Sequence, residues 1–79
     1  MVRNPSDSLR ATLADNIKAF RSKKGLSQEG LAELCGLHRT YIGSVERQER
    51  NVTLSTLEVL SAALEVSVPE LLTKQKNKR

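Results

Sequence analysis

The chain has 79 residues, of which 13 are Lys or Arg and 9 are Asp or Glu, with one Cys and only two aromatic side chains. A chain of this length forms one domain and buries roughly 60% of its unfolded surface, which excludes a large enclosed active site. A single Cys excludes an intrachain disulfide, and no apolar run approaches the ~20 residues of a membrane span or forms the apolar core of an export signal. We therefore predict a cytoplasmic protein with no membrane partner.

The positive charge is concentrated at the C-terminus. Residues 74–79 hold four basic side chains, so residues 1–73 carry nine basic and nine acidic groups and sum to zero. A short basic end without apolar anchors is more often a solvated terminus than a binding arm. We predict a single domain over residues 1–79, with a core at about 9–73 and a basic tail at 74–79.

The first two predicted helices lie on either side of a glycine. Helical spacing relates the apolar residues of the first helix, which are Leu9, Leu13, Ile17 and Phe20. Asp7 or Ser8 can cap its start, and Gly25 can end it in the left-handed conformation. Ser27 can cap a second helix of about two turns that Gly36 ends.

Three further helices complete the pattern. Ile42 and Val45, three residues apart, indicate a short third helix. Thr53 can cap a fourth helix, whose leucines at helical spacing are Leu54, Leu57, Leu60 and Leu64. Ser67 and Glu70 have the spacing of a capping box and open a short fifth helix. Because no alternating strand pattern bounded by turn residues occurs, we predict an all-α fold of five helices.

One face of the third helix is polar, mostly small and free of acidic side chains. Its members share positions i, i+1, i+4, i+5 and i+8 of the helix and are Arg39, Thr40, Gly43, Ser44 and Arg47. Such a face fits the major groove of DNA, which is ~12 Å wide and lets an arginine donate two hydrogen bonds to guanine. The alternative is an ordinary solvated face, although such faces usually mix Glu with Lys and use stronger helix formers.

Residues 25–66, GLSQEGLAELCGLHRTYIGSVERQERNVTLSTLEVLSAALEV, resemble the helix-turn-helix core of the lambda-repressor and Cro-like (XRE-type) DNA-binding family. The motif positions that fall in the family's order are Gln28-Glu29, Leu31-Ala32, Gly36, Ile42, Val45-Glu46 and Ala63-Leu64-Glu65-Val66. More narrowly, HRTYIGSVERQERNVTLSTLE is similar to a stretch of the controller proteins of restriction-modification systems. Two residues depart from that stretch, since His38 replaces Asp and Gly43 replaces Ser.

The resemblance implies a lambda-repressor-like domain whose third helix lies in the major groove of double-stranded DNA. The residues that would read bases are Arg39, Thr40, Tyr41 and Ser44. The residues that would contact the DNA backbone are Gln28, Arg47, Arg50, Asn51 and Thr53. Arg21 and Glu46 match the pair that joins the first helix to the end of the recognition helix, with two independent surface charges as the alternative.

The fourth helix has a second apolar face, formed by Val59, Ala62, Ala63 and Val66. Because a surface helix of a monomer needs only one apolar face, we predict a homodimer. Its predicted interface residues are Val59, Ala63, Val66, Leu71 and Leu72. Two-fold symmetry would place the recognition helices ~34 Å apart on a roughly palindromic operator. The alternative is that the final helix covers this face within one chain.

The remaining residues offer little for catalysis. One His, one Cys and no glycine-rich phosphate loop do not make an active site, so we predict that the chain is not an enzyme and needs no cofactor or metal. His38 is interpreted as a helix cap or surface residue, and Cys35 as a small core residue, with a reactive thiol as the alternative.

The favoured function is a sequence-specific transcriptional regulator, the controller of a restriction-modification system acting on its own promoter region. A phage-type or stand-alone repressor and an antitoxin-type protein-interaction subunit are the alternatives. RNA polymerase is a further candidate partner. RNA binding is disfavoured because the chain has so few aromatic residues.

Overall fold

Five α-helices, without a strand, make up residues 6–75, the part of the chain that the computed structural model describes. In chain order they are α1 (Ser6–Lys23), α2 (Gln28–Cys35), α3 (Arg39–Glu46), α4 (Leu54–Leu64) and α5 (Val68–Leu72). The predicted all-α class and number of helices are confirmed. The first five residues, on which the export argument partly depends, and residues 76–79 of the basic tail lie outside the described range. Within that range, no helix combines the length and apolarity that a membrane crossing needs.

Short-range capping fixes most helix ends where the sequence predicts them. The Ser27 hydroxyl accepts from the backbone of residue 30 at 2.9 Å, and Thr53 accepts from residue 56 at 3.1 Å. Ser67 and Glu70 form the reciprocal capping box. Gly36 ends α2 with φ of 69°, a conformation that a side chain disfavours. These contacts start and stop helices that are too short to be stable alone.

One apolar side chain from each helix is fully buried at the centre of the core. These five are Ile17 of α1, Leu31 of α2, Ile42 of α3, Leu60 of α4 and Leu71 of α5. Burying each contributes roughly 1.5–3 kcal/mol, so the helices stabilise one another. The centre of the core therefore includes the inward face of α3, the helix that carries the predicted DNA-reading residues.

The structure corrects several expectations about which residues are covered. Leu9 and Leu54, both members of a predicted apolar stripe, are 50% and 80% exposed. Each lies in the first turn or two of its helix, where no neighbouring helix covers the stripe. Leu71, predicted at a dimer interface, is fully buried within the chain. Asp7 and Ser8 lie within α1 rather than at its cap.

Asn16 links α1 to the end of α5, a role that the sequence pattern did not indicate. Its buried amide nitrogen donates to the carbonyl oxygens of Leu71 at 2.7 Å, Thr73 at 2.9 Å and Glu70 at 3.2 Å. The last carbonyls of a helix have no partners within the helix, and this side chain supplies one. Asn16 thus fixes the direction in which α5 packs.

Candidate nucleic-acid interface

The α2–turn–α3 unit presents one face of α3 to solvent. After Gly36, the backbone N–H of Leu37 returns to the carbonyl of Ala32 at 2.9 Å, which closes the turn between the two helices. Ile42 and Val45 on the inner side of α3 are buried. The outer side of a helix of only eight residues is therefore held in a fixed orientation by packing and by this turn.

Arg39 and Thr40 form the exposed first turn of α3. Both side chains are exposed, and within residues 6–75 neither has a side-chain hydrogen bond or ion pair. This turn also contains no acidic residue. The backbone N–H groups and partial positive charge of a helix start favour an anion, and Arg39 adds a full charge there. The two predicted base readers are thus available to a ligand without breaking an existing contact.

Tyr41, Ser44 and Arg50 form one connected cluster beside this turn. The Arg50 guanidinium lies 5.3 Å from the centre of the Tyr41 ring, and its Nε donates to the Ser44 hydroxyl at 3.0 Å. That hydroxyl in turn donates to the Tyr41 carbonyl at 2.7 Å. Arg50 is therefore held by a cation–π contact and a hydrogen bond.

Ser44 does not occupy the position predicted for a base reader. Only 5% of the residue is exposed, and its hydroxyl already has two partners. A helical wheel places Ser44 beside the exposed face, but Arg50, from the loop after α3, folds over it. The structure therefore gives Ser44 a positioning role beneath Arg50.

The predicted pair of Arg21 and Glu46 is present. Arg21 Nε and Nη2 donate to the two carboxylate oxygens of Glu46 at 2.8 and 3.0 Å, and Nη1 donates to the carbonyl of Leu26 at 2.9 Å. The Glu46 side chain is only 5% exposed. The hydrogen bonds and the charge of Glu46 raise the pKa of Arg21 further, so the guanidinium stays charged. This bidentate pair joins α1 to the last residue of α3.

Gln28, the first residue of α2, is positioned by the same carboxylate. Its Nε2 donates to Glu46 Oε1 at 2.9 Å. The amide oxygen of Gln28 and the N-terminal N–H groups of α2 lie at the start of the helix, where the sequence predicts a contact with the DNA backbone. Glu46 therefore orients α1, α2 and α3 relative to one another through two side chains.

The loop after α3 carries the other residues predicted to contact the DNA backbone. Arg47 is exposed and forms an ion pair with Glu49, whose pKa is lowered by the hydrogen bond from Arg47. Asn51 accepts a hydrogen bond from Arg10 of α1 at 2.5 Å. Thr53 caps α4, so its hydroxyl already has a structural partner. The structure brings these residues to one end of α3.

Two apolar surfaces are exposed elsewhere. The Leu54 surface lies beside Arg50 and Asn51 and is lined by Leu9, Leu13, Val52, Leu54, Leu57 and Leu72. The Val59 surface borders the ion pair of Lys24 and Glu65, whose Nζ and Oε1 atoms are 2.6 Å apart, and is lined by Leu26, Leu34, Val59, Ala62 and Ala63. The predicted interface residues are therefore divided: Val59 and Ala63 lie on one surface, and Leu72 lies on the other. Val66 is half-buried.

Comparison with known proteins agrees with this geometry. A family model described as helix-turn-helix matches residues 17–71. Control protein C.SmaI of Serratia marcescens is 63% identical over 67 residues, which cover 85% of this chain and 80% of that protein. The crystal structure of the hypothetical transcription factor NHTF from Neisseria matches with a TM-score of 0.84 and 51% identity, over 85% of this chain and 75% of that one.

A third relative was solved in complex with DNA. The restriction-modification controller protein C.Esp1396I, as a tetramer with its natural 35 base-pair operator, matches with a TM-score of 0.70 and 38% identity, over 82% of this chain and 96% of that one. The predicted family resemblance is therefore confirmed. The chain belongs to the helix-turn-helix family of DNA-binding regulators, together with the control proteins of restriction-modification systems.

Proposed function

We propose that this chain is a sequence-specific regulator of transcription, the controller of a restriction-modification system that acts at its own promoter region. The observation that carries the proposal is the exposed first turn of α3, where Arg39 and Thr40 are unengaged on a helix fixed by Arg21 and Glu46. Similarity to control proteins of restriction-modification systems supports the narrower role. In this proposal the protein acts in the cytoplasm by binding alone, without a cofactor, and RNA polymerase at the same promoter is a further partner.

Base recognition would begin at the start of α3. With the helix in the major groove, Arg39 can donate two parallel hydrogen bonds to guanine O6 and N7, and Thr40 can contact a thymine methyl group. Tyr41 is held in place by Arg50. It can contact a base or a phosphate next to the bases that Arg39 and Thr40 contact. Because packing fixes the helix before DNA arrives, little ordering entropy is lost at this turn on binding.

The DNA backbone would be bound on both sides of α3. Gln28 contributes from the start of α2, and Arg50, Asn51 and Thr53 contribute from the loop and the start of α4. Each neutralised phosphate releases counterions. The logarithm of the binding constant therefore falls linearly with the logarithm of the salt concentration. Such contacts fix the register of the protein without carrying sequence information.

Selection from duplexes with a randomised centre, followed by titration against a single-base panel, tests the reading role of Arg39. Arg39→Ala is expected to cost ~1–3 kcal/mol and to relax preference at one base pair per half-site. The matched control is Lys23→Ala, which also removes one charge but lies at the end of α1 beside Asp15 and Asn16. If Arg39→Ala weakens preferred and scrambled DNA equally, Arg39 is not a reader.

The structure also supports a homodimer, with the Leu54 surface as the interface. This surface adjoins Arg50 and Asn51, so a second copy seated there places the two DNA-binding faces side by side. Consecutive major grooves on one side of the duplex, ~34 Å apart, require that arrangement. The Val59 surface is flanked by Lys24 and Glu65 and contains none of the predicted DNA contacts.

Sedimentation equilibrium of two matched variants separates the surfaces. Leu54→Glu is expected to give a monomer that keeps its helical content and binds operator weakly, because a charge cannot be buried without a partner. Val59→Glu is expected to remain dimeric. The reverse outcome would place the interface at Val59, and a wild-type chain that stays monomeric at high micromolar concentration would refute the dimer.

A stand-alone repressor would use the same α3 surface, so DNA binding does not distinguish it from a controller. The neighbouring genes distinguish a controller from a stand-alone repressor. Adjacent endonuclease and methyltransferase genes are expected, and a promoter fusion should respond to the protein at the upstream region of its own gene. Their absence would favour the repressor.

A further inference from the structure

Gly43 lies in the middle of the polar face of α3, one turn beyond Arg39. Unlike Arg39, it is buried. Two side chains close over it. A Cβ atom at this position would lie 3.2 Å from Arg47 Nη1 and 3.5 Å from Gln28 Oε1. The first distance is shorter than an ordinary van der Waals contact. The missing side chain therefore leaves the space in which the Arg47 guanidinium lies, over the DNA-facing side of the helix rather than beyond its end.

Glu49 fixes the orientation of that guanidinium. Arg47 Nε donates to Glu49 Oε2 at 3.0 Å, and Nη2 donates to Oε1 at 3.2 Å. Glu49 is itself placed by the backbone, because its N–H donates to the carbonyl of Ser44 at 2.9 Å after Gln48 takes a left-handed φ of 66°. One edge of the guanidinium is thus paired with a carboxylate. The other edge, with Nη1 beside Gly43, keeps free N–H donors.

This arrangement suits a neutral acceptor better than a phosphate. A phosphate bound by Arg47 would lie close to the Glu49 carboxylate, and two negative charges at such separation repel. The major-groove edge of guanine carries no net charge and presents two acceptors, O6 and N7, at the spacing of an arginine fork. The Glu49 pair would also reduce the rotamer entropy that Arg47 loses on binding.

Resting on the proposed DNA-binding function, we propose that Arg47 reads a base pair in the middle of each half-site, with Gly43 providing the space and Glu49 the orientation. Arg47 was predicted from sequence as a contact to the DNA backbone. Here it becomes a specificity-determining residue, and Gly43 and Glu49 are positioning residues. The base it reads is a guanine. This guanine differs from the base that Arg39 reads, because Arg39 and Arg47 lie more than one helical turn apart along α3.

The test uses the full chain and a pool of duplexes with a randomised centre, with binding of the selected sequences measured over a range of salt. Arg47→Lys keeps the positive charge but removes the bidentate guanidinium donor. We expect it to lose preference at one base pair by about tenfold, the size of a good bidentate contact, while the salt dependence stays close to that of the wild type. Circular dichroism and thermal melting establish that each variant is folded.

Glu49→Gln and Gly43→Ser supply independent readouts. Removing the Glu49 charge is expected to raise affinity for all DNA while lowering preference at the Arg47 base pair. A phosphate-binding Arg47 would instead give a uniform rise with preference unchanged. Gly43→Ser is expected to displace Arg47 and to change preference at that same base pair, leaving the one read by Arg39 as it is.

Two outcomes distinguish a failure of this proposal from a failure of the proposed regulator function. If the wild-type chain enriches no sequence, the proposed regulator function fails. If the wild type enriches a sequence and Arg47→Lys retains the same preference at every base pair, Arg47 does not read a base and the inference is overturned, while the function stands.

Discussion

Removing Arg21 should destabilise the whole fold, because Glu46 would remain buried without its partner. The Glu46 carboxylate is 5% exposed and accepts two hydrogen bonds from Arg21 and one from Gln28. In Arg21→Ala only the Gln28 contact remains, and the carbonyl of Leu26 loses its donor as well. The perturbation thus leaves a buried charge and an unpaired acceptor at the junction of α1 and α3.

The expected loss is about 3 kcal/mol. Breaking a buried ion pair typically costs ~3–5 kcal/mol, and the lower end applies here because 19% of the Arg21 side chain is exposed and partly screened by water. A chain of this size has a total stability of roughly 4–12 kcal/mol, so the variant would lose a large share of it. With a urea slope of ~1–3 kcal/mol/M, the unfolding midpoint should fall by roughly 1–3 M.

A double-mutant cycle with Arg21→Ala and Glu46→Gln, followed by urea unfolding, isolates the pair. We expect a coupling free energy well above the ~1 kcal/mol typical of exposed pairs. The exposed pair of Arg47 and Glu49 is the internal control and should show a clearly smaller coupling. Equal, near-zero coupling for both pairs would mean that core packing alone positions α3 and that the pair of Arg21 and Glu46 does not.

Two further predictions concern residues away from the DNA surface. Asn16→Ala should lower the free energy of unfolding by ~1–3 kcal/mol, because the buried carbonyl of Leu71 loses its side-chain donor; an unchanged urea midpoint would contradict this. Burial raises the pKa of the Cys35 thiol, so near neutral pH the folded protein should be alkylated more slowly than the urea-unfolded chain. Since the folded state retains this proton, stability should decrease as pH rises through the thiol range, and a folded rate equal to the unfolded rate would exclude the protected thiol.

Local signals in the sequence were sufficient for the five helices and for most of their ends, although not for the start of α1. Ser27 and Thr53 cap helices through contacts three residues away, and Gly36 ends α2 by its own conformation. Such interactions depend only on neighbours along the chain, so the chain itself specifies them. The helix-turn-helix motif is equally local, because α2, its turn and α3 are contiguous. The pairing of Arg21 with Glu46 was anticipated only through the family resemblance.

Contacts between distant parts of the chain decided the rest. Periodicity places Leu54 on an apolar stripe. It does not reveal that the first turn of α4 is left uncovered by the other helices. The wheel places Ser44 beside the reading face but does not show Arg50 folding over it from the next loop. Asn16 gave no signal, because its partners lie more than fifty residues away.

The proposed DNA-binding surface also contains positions that the sequence identified and positions that only the fold explains. The sequence alone selected Arg39 and Thr40, because helical spacing places them on the polar face of α3, opposite the buried Ile42 and Val45. It also marked Gly43 as a departure from related proteins, but not what the departure does. Helical spacing already places Arg47 beside this glycine, but only the tertiary structure shows that Gln28 also lies over it, since that side chain reaches it from the start of α2 through packing. Helix propensity and spacing act within a few residues, whereas the shape of a binding surface depends on which side chains the fold brings together.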